Sequence, residues 1–217
     1  MVPQLTPAET RVLGSLVEKE LSTPEYYPLT LNALVAACNQ RSNRDPVMTL
    51  GEDEVASALE TLRRRGLARQ SAEGVRTVRF CHSLAERFLL EPPELAILAE
   101  LLLRGPQTAA ELRSRSTRMT EMPGVDGVAR LIEGLTTRDE PLLLQLPREP
   151  GKKERRYTHT FSPPPAPSPS RTDLPEPLAQ ARQDADRIES LEREIARLSE
   201  EMRSLREEFR LFRTQFE

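Results

Sequence analysis

The 217-residue sequence predicts a mostly α-helical protein with small β-hairpins, an α+β fold built from two similar halves and followed by a coiled-coil helix. Three patterns predict it. Apolar residues recur at helical spacing between capping signals, the order of helices and hairpin occurs twice, and a heptad stripe runs through the C-terminal segment. The predicted segments are a first domain at 1–88, a second domain at 89–161, a proline-rich linker at 162–178 and a coiled-coil helix at 179–217.

The first predicted helix has a clear start signal. Thr6 at the N-cap, Pro7 at the first helical position and Glu9 three residues after the cap form a capping box. The Thr and Glu side chains of such a box satisfy amides that lack helical partners. The apolar residues that follow at helical spacing are Leu13, Leu16, Val17 and Leu21. This pattern predicts an amphipathic helix from Pro7 onward.

Two more helices and a hairpin are predicted in the first half. The second helix starts at Thr30, and the third follows Gly51 and ends at Gly66, a residue suited to the left-handed position after a helix. Strand-like runs at 67–70 and 75–81 then predict a hairpin. Three short helices followed by a β-hairpin are the element order of a winged-helix domain, with the third helix as recognition helix and the hairpin as wing.

The same order of elements recurs in the second half. The segment 90–98 repeats the proline, glutamate and leucine spacing of 5–13, and residues 108–111 form another capping box. The next predicted helix carries Val128, Ile132 and Leu135, which have the spacing of Val55, Leu59 and Leu62. Strand-like runs at 142–146 and 155–161 predict the second wing. We therefore expect two tandem winged-helix domains related by duplication.

The C-terminal segment predicts a dimer. Residues 162–178 hold seven of the 19 prolines and predict an extended spacer. Beyond them, apolar residues alternate in steps of three and four, a stripe too narrow for a lone helix to bury. The stripe comprises Ile188, Leu191, Ile195, Leu198, Met202, Leu205, Phe209, Phe212 and Phe216. Flanking charges such as Arg187 and Glu192 pair favourably in a parallel homodimer. The alternatives are a helix that folds back on its own domains and phenylalanines that splay apart or dock on another surface.

Composition and motifs argue against several other classes of protein. The formal net charge is −3, and residues 1–170 balance 22 Lys/Arg against 22 Asp/Glu, so no global positive field is expected. Cys38 and Cys81 are the only cysteines, the N-terminus has no export signal, and no apolar run approaches the roughly 20 residues of a membrane span. No metal-ligand, phosphate-loop or nucleophile–base pattern occurs. We expect a cytoplasmic protein with no enzymatic activity, cofactor or membrane association.

Three stretches resemble the YceH-like family of uncharacterised bacterial proteins. They are TPEYYPLTLNALVAACNQRSNRDPVM at 23–48, LLLRGPQTAAELRSRSTRM at 101–119 and REPGKKERRYTHTF at 148–161. The resemblance covers about residues 4–161 and is specific, because several long polar loops match. It implies tandem winged-helix domains, and it brings no catalytic or binding residue to this chain.

Three groups of polar residues are candidates for nucleic-acid contact. They are Arg148, Lys152, Lys153, Arg155 and Arg156 in the second wing, Arg63, Arg64 and Arg65 at the end of the third helix, and Arg41, Asn43 and Arg44 in the 39–46 loop. Flexible cations suit phosphate contacts, which provide affinity without sequence information. Each group also has a structural alternative: solvation of a turn for the wing, favourable placement at a helix C-terminus for the three arginines, and internal capping for the loop.

Two functions remain open at this point. Glu52, Asp53 and Glu54 occupy the first turn of the third helix, where carboxylates would repel phosphate and hinder simple base readout. One hypothesis is a homodimeric regulator or nucleoid-associated factor that binds duplex DNA. The other is a protein–protein adaptor without nucleic-acid contact, favoured by the neutral globular charge and the acidic helix. The analogy of fold favours DNA binding.

Overall fold

The structure is a computed structural model that describes residues 2–71, 78–148 and 154–164. Within these ranges the chain forms seven α-helices, a one-turn 3₁₀-helix and five short strands in two antiparallel sheets. The predicted α+β class is therefore confirmed. The coiled-coil stripe and most of the predicted linker lie outside the described residues, and the dimer stays a prediction.

The first half contains three α-helices and a two-stranded sheet. Its elements are α1 (Pro7–Ser22), the 3₁₀ turn (Pro24–Tyr26), α2 (Leu31–Cys38), α3 (Glu52–Arg64), β1 (Ala68–Gln70) and β2 (Phe80–His82). The two strands are antiparallel, with Ala68 opposite His82 and Gln70 opposite Phe80. A single bridge between Leu29 and Phe80 attaches the loop before α2 to this sheet.

The second half repeats the order of three longer helices and a strand pair, and adds a short helix and a strand. Its elements are α4 (Leu84–Phe88), α5 (Pro92–Arg104), β3 (Gln107–Thr108), α6 (Ala109–Ser116), α7 (Val125–Thr137), β4 (Leu143–Gln145) and β5 (Arg156–His159). The strand β5 lies between β3 and β4 and is antiparallel to both. Gln107 faces Tyr157 on one side of β5, and Leu143 faces His159 on the other.

Capping contacts explain where the helices begin. The Thr6 hydroxyl accepts a hydrogen bond from the backbone N–H of Glu9 (3.2 Å), and the Glu9 carboxylate accepts one from the N–H of Thr6 (2.9 Å). Thr108 and Glu111 form the same reciprocal pair at the start of α6. Each pair satisfies two amides that a helix end leaves without partners. Both predicted capping boxes are confirmed.

Three short elements were not predicted from the sequence, and the strands are shorter than expected. The 3₁₀ turn Pro24–Tyr26 lies in a segment predicted as a loop. The helix α4 spans five residues, too few for apolar periodicity to reveal it. The strand β3 spans two residues and pairs only with β5. Gly66, expected just after α3, does adopt a left-handed conformation with φ of 67°.

The two halves share one hydrophobic core within a single compact unit. The helices α1 and α5 pack closely at its centre, where Gly14 faces α5. A Cβ atom at Gly14 would lie 2.9 Å from the Cβ of Leu102, so a larger residue would push the helices apart. At the edge of the core, the N–H of Leu5 donates to the carbonyl of Phe161 (2.6 Å) and joins the start of the first half to the end of the second.

Candidate nucleic-acid interface

An open groove of about 490 Å³ lies in the second half between α6, α7 and β5. It is lined by Ala109, Ala110, Arg113, Val125, Val128, Glu154, Arg155 and Tyr157. Arg113, Glu154 and Arg155 are exposed, whereas Val128 is buried. The groove therefore combines small apolar side chains with two solvent-accessible guanidinium groups and one carboxylate.

Local sequence signals place the groove residues. The capping box at Thr108 starts α6, so the two small alanines after it occupy its first turn. The helix α7 starts after Gly124 and buries Val128, Ile132 and Leu135, the predicted apolar stripe. Because this stripe faces the core, Val125 in the first turn of α7 lies off the buried face and is 68% exposed at the groove.

Two of the predicted wing cations have different environments. Arg155 is exposed at the groove and donates a hydrogen bond from Nη1 to Gln145 Oε1 (2.9 Å). Arg156 is half-buried, donates to the carbonyl of Pro106 (2.6 Å) and lies 3.6 Å from the Glu111 carboxylate. Arg156 thus helps to hold β5 against β3, whereas Arg155 lies exposed at the groove.

The three remaining predicted wing cations are Arg148, Lys152 and Lys153. Arg148 is exposed at the end of a described range, beyond β4. Lys152 and Lys153 lie outside the described residues. Their contact with phosphate stays a prediction.

The arginines at the end of α3 lie at the helix C-terminus, as the sequence predicts. Each makes a contact within the first half: Arg63 to Glu60 (2.8 Å), Arg64 to Thr61 (3.2 Å), and Arg65 to the carbonyl of Gln4. Arg63 and Arg64 remain exposed, whereas Arg65 turns back toward the start of α1. At the other end of α3, the acidic first turn is fully on the surface.

Polar residues of the 39–46 loop mostly serve the fold. The Asn39 side chain donates to the carbonyl of Leu50 (2.9 Å) and accepts from its N–H (2.8 Å), closing the loop. Asn43 has a positive φ of 59°, and its Oδ1 accepts a hydrogen bond from Arg104 of the second half. Arg41 is exposed. Of the two alternatives for this loop, internal bonding describes Asn39 and Asn43.

Arg44 corrects the predicted interface. Its side chain has no exposed surface, and Nη1 and Nη2 donate to the two carboxylate oxygens of Glu18 at 3.1 and 2.5 Å. Nε and Nη2 also donate to the carbonyl of Ala37, at 3.2 and 2.8 Å. A guanidinium enclosed in this way is not available to a phosphate, so the prediction was wrong for Arg44. A charge stays buried only with such partners, which lie far away in sequence.

Glu18 and Arg44 belong to an ionic cluster that joins the two halves. We call Glu18, Arg44, Glu100, Arg104 and Arg118 the junction cluster. Arg118 of the second half donates to Glu100 from Nε (3.1 Å) and Nη2 (2.7 Å), while its Nη1 lies 2.5 Å from Glu18. Arg104 Nε lies 3.3 Å from the other Glu100 oxygen. The side chains of Glu18 and Glu100 are 1% and 0% exposed.

The protonation of Glu18 follows from these contacts. Burial alone would raise the pKa of its carboxyl, because the charged form loses its hydration. Hydrogen bonds and charge from Arg44, together with the charge of Arg118, outweigh burial and hold this pKa below its ordinary value. Glu18 is therefore ionised at neutral pH and balances two guanidinium groups.

Sequence reasoning missed most of these residues. Glu18, Glu100, Arg104, Arg113 and Arg118 were not among the candidates. One signal was present, because Glu100 is the lone charged residue in the apolar run 95–103. A single charge in such a run indicates either a buried ion pair or a site. Its partners could not be found from spacing.

His82 is a buried polar residue of the strand β2 in the first sheet. Its Nδ1 accepts a hydrogen bond from the N–H of Leu84 (3.1 Å), and its Nε2 lies 2.7 Å from Glu20 Oε2. The hydroxyl of Tyr27 accepts from the N–H of His82 (2.8 Å). No group of three or more His, Cys, Asp or Glu side chains within the described ranges could hold a metal ion. None of the helices in those ranges is long and apolar enough to cross a membrane.

Fold and site together define an α+β protein whose two halves repeat an order of three helices and an antiparallel strand pair, and share a core and an ionic junction. Residues 5–152 match the family model described as "Protein of unknown function, DUF480". The chain belongs to this family.

Relatives in bacteria match over nearly the whole chain. A UPF0502 protein of Geobacter metallireducens is 54% identical over 98% of both chains. UPF0502 proteins of Geotalea uraniireducens and Geotalea daltonii are 48% and 49% identical, over 100% and 98% of both chains. The bacterial family resemblance noted from the sequence is confirmed.

Proposed function

We propose that this chain is a non-enzymatic, cytoplasmic protein with two winged-helix domains, which binds duplex DNA as a transcriptional regulator or nucleoid-associated factor. The order of three helices and an antiparallel strand pair, present in both halves, supports the winged-helix assignment. In that assignment α3 and α7 are the recognition helices, and the strand pairs are the wings.

The second half carries the main DNA contacts. The observation that supports this most strongly is the groove, where exposed Arg113 and Arg155 flank the first turn of α7. Arg130 adds an exposed cation further along α7. The first turn of α3 carries three carboxylates, whereas the first turn of α7 carries one, Asp126. Because phosphate contacts depend on cations, DNA would approach α7 more readily than α3.

The first expected result concerns these two arginines. The variant Arg113→Gln/Arg155→Gln should bind random-sequence duplex DNA on the order of tenfold more weakly than wild type, because glutamine cannot neutralise a phosphate at either position. The slope of log affinity against log salt concentration should become shallower by about 0.9 for each phosphate that is no longer neutralised. Fluorescence anisotropy at two or more salt concentrations measures both quantities.

A matched control tests whether the effect is local. The variant Arg63→Gln/Arg64→Gln removes the same charge from the surface at the end of α3. It should leave the affinity and the salt slope closer to wild type. An equal loss in both variants would show that only total charge matters, and a salt-independent or undetectable wild-type interaction at low ionic strength would rule out DNA binding.

The C-terminal heptad stripe supports a parallel homodimer as the binding unit. Wild type should sediment at twice its monomer mass of 24.6 kDa. Leu198→Glu places a charge in the stripe and should yield monomers, since a coiled-coil core tolerates no unpaired carboxylate. Ala196→Glu adds the same charge at an outward heptad position and should leave the dimer intact. A monomeric wild type at micromolar concentration would contradict the dimer.

The adaptor is the second candidate function. Two observations favour it: the exposed acidic first turn of α3, and Tyr26, which is 70% exposed at the end of the 3₁₀ turn. Exposed aromatic side chains are common at protein–protein interfaces. The DNA titration discriminates the two functions, because an adaptor would show no salt-dependent affinity for duplex DNA.

A further inference from the structure

Two arginines of the second half contact one buried carboxylate at the boundary with the first half, and a third is linked to the same residue through Gln107. We call Arg104, Arg115 and Arg118 the junction patch. Arg104 and Arg118 both contact the Glu100 carboxylate, at 3.3 and 2.7 Å. Arg115 donates to Gln107 Oε1 (2.7 Å), and Gln107 in turn donates to the Glu100 carbonyl (3.0 Å). The three guanidinium groups therefore occupy one small region of the surface.

Each of these guanidinium groups is held firmly yet partly open to solvent. The exposed fractions of the Arg104, Arg115 and Arg118 side chains are 23%, 36% and 28%. A guanidinium has five N–H donors, and Arg118 directs Nε, Nη1 and Nη2 toward Glu18 and Glu100 through one N–H each. The remaining N–H groups of Arg118 can donate to a ligand. Because the three side chains are already held in place, they would lose little conformational entropy on binding.

The junction patch has more positive charge than its carboxylates neutralise. Its three arginines, together with Arg44 and Lys19, face Glu18, Glu100 and Glu111. Burial lowers the pKa of Arg104, and the charges of Arg115, Arg118 and Arg44 lower it further against the opposing effect of Glu100. These like charges repel one another, and an anion beside them would relieve the repulsion.

The junction patch also lies close to the groove. Arg113 lines the groove, while Arg115, two residues along α6, bonds toward Gln107 and Glu111. Residues two apart point to nearly opposite sides of a helix, so the two sets of cations flank α6. They are separated by roughly the width of one helix, ~10 Å.

We propose that the junction patch binds phosphates of the duplex DNA backbone and extends the groove across α6. This inference rests on the proposed function and adds a second contact surface to it. The junction patch does not read the base sequence, because guanidinium groups that contact phosphate contribute affinity and fix the position of the protein on the duplex. It also couples the two halves to the ligand, since Arg118 contacts Glu18 of the first half.

The test removes charge from the junction patch without touching Arg118, the member that contacts both buried carboxylates. The variant Arg104→Gln/Arg115→Gln should bind duplex DNA more weakly, with a salt slope shallower by about 0.9 for each phosphate that the missing guanidinium groups would have neutralised. The variant Arg104→Lys/Arg115→Lys keeps the charge and should keep most of the slope. Circular-dichroism melting checks that both variants are folded, and Arg115→Gln alone serves if the double variant is not.

The outcomes separate this inference from the proposed function. If Arg113→Gln/Arg155→Gln changes the slope while Arg104→Gln/Arg115→Gln does not, the groove binds DNA and the junction patch does not. If wild type fails to bind DNA, both proposals fall. Inorganic phosphate is titrated separately in chloride buffer. Phosphate binding that the glutamine variant abolishes, with no change in the DNA slope, would identify a free-anion site and overturn the DNA assignment.

Discussion

Replacing Glu18 with alanine is expected to lower the free energy of unfolding by about 3–5 kcal/mol, the range for removing one partner of a buried ion pair. The side chain of Arg44 has no exposed surface, so its charge would stay in the interior without the carboxylate. Arg118 would be left with Glu100 as its carboxylate partner. The penalty arises from the stranded charges more than from the missing attraction, because desolvation of a guanidinium is costly.

Urea unfolding of wild type and variant measures this change. The free energy of unfolding is the product of the midpoint urea concentration and the slope of that free energy against urea concentration. Glu60→Ala is the matched control, since it also removes the carboxylate of an arginine pair. Both members of the Arg63–Glu60 pair are exposed, at 38% and 56%, and the expected change is about 0–1 kcal/mol. The double variant Glu18→Ala/Arg44→Ala should be less destabilised than the sum of its single variants. Equal effects for Glu18→Ala and Glu60→Ala would show that the junction cluster is open to water.

Stability is expected to fall by about 3 kcal/mol as the pH decreases from 6.5 to 4, because of His159. Its side chain is buried in β5, and burial lowers the pKa of the imidazole from 6.5 to about 4. Between these values the unfolded chain binds a proton that the native protein does not. The unfolded state therefore gains stability as the pH falls through this window, and the effect levels off only below pH 4, where the native protein also binds the proton.

The variant His159→Phe should lose this part of the pH dependence, since Phe cannot take up a proton. Phe also suits the neighbourhood, where His159 lies beside the ring of Phe161. Unfolding midpoints at several pH values between 4 and 7 compare variant and wild type. An NMR titration of the imidazole protons offers a direct check, and a His159 resonance that titrates near pH 6.5 would contradict the expected burial effect.

Backbone signals in the sequence predicted the helical framework well. Thr6 and Thr108 cap their helices through contacts that span three residues, and Gly66 takes its left-handed conformation just after α3. Such features depend on local geometry, so spacing alone reveals them. The helix α4 and the strand β3 were missed because elements of five and two residues produce no periodic pattern.

The candidate interface was predicted less completely. Arg155 was found by its place in a basic turn, and it does line the groove. Arg113 was missed, because it joins Arg155 only when α6 and β5 fold side by side. Arg44 was assigned to the surface because its loop is polar, yet it lies buried against Glu18. Polarity in a loop does not reveal whether a side chain faces water or a partner.

The sequence by itself determined where most helices start, the repetition of the element order and the family to which the chain belongs. These properties depend on residues close together in the chain or on similarity along it. Only the tertiary structure decided which charges are buried. Glu18 of α1 meets Arg44 of the 39–46 loop and Arg118, which follows α6. A charge remains in a protein interior only where distant parts of the chain bring it a partner.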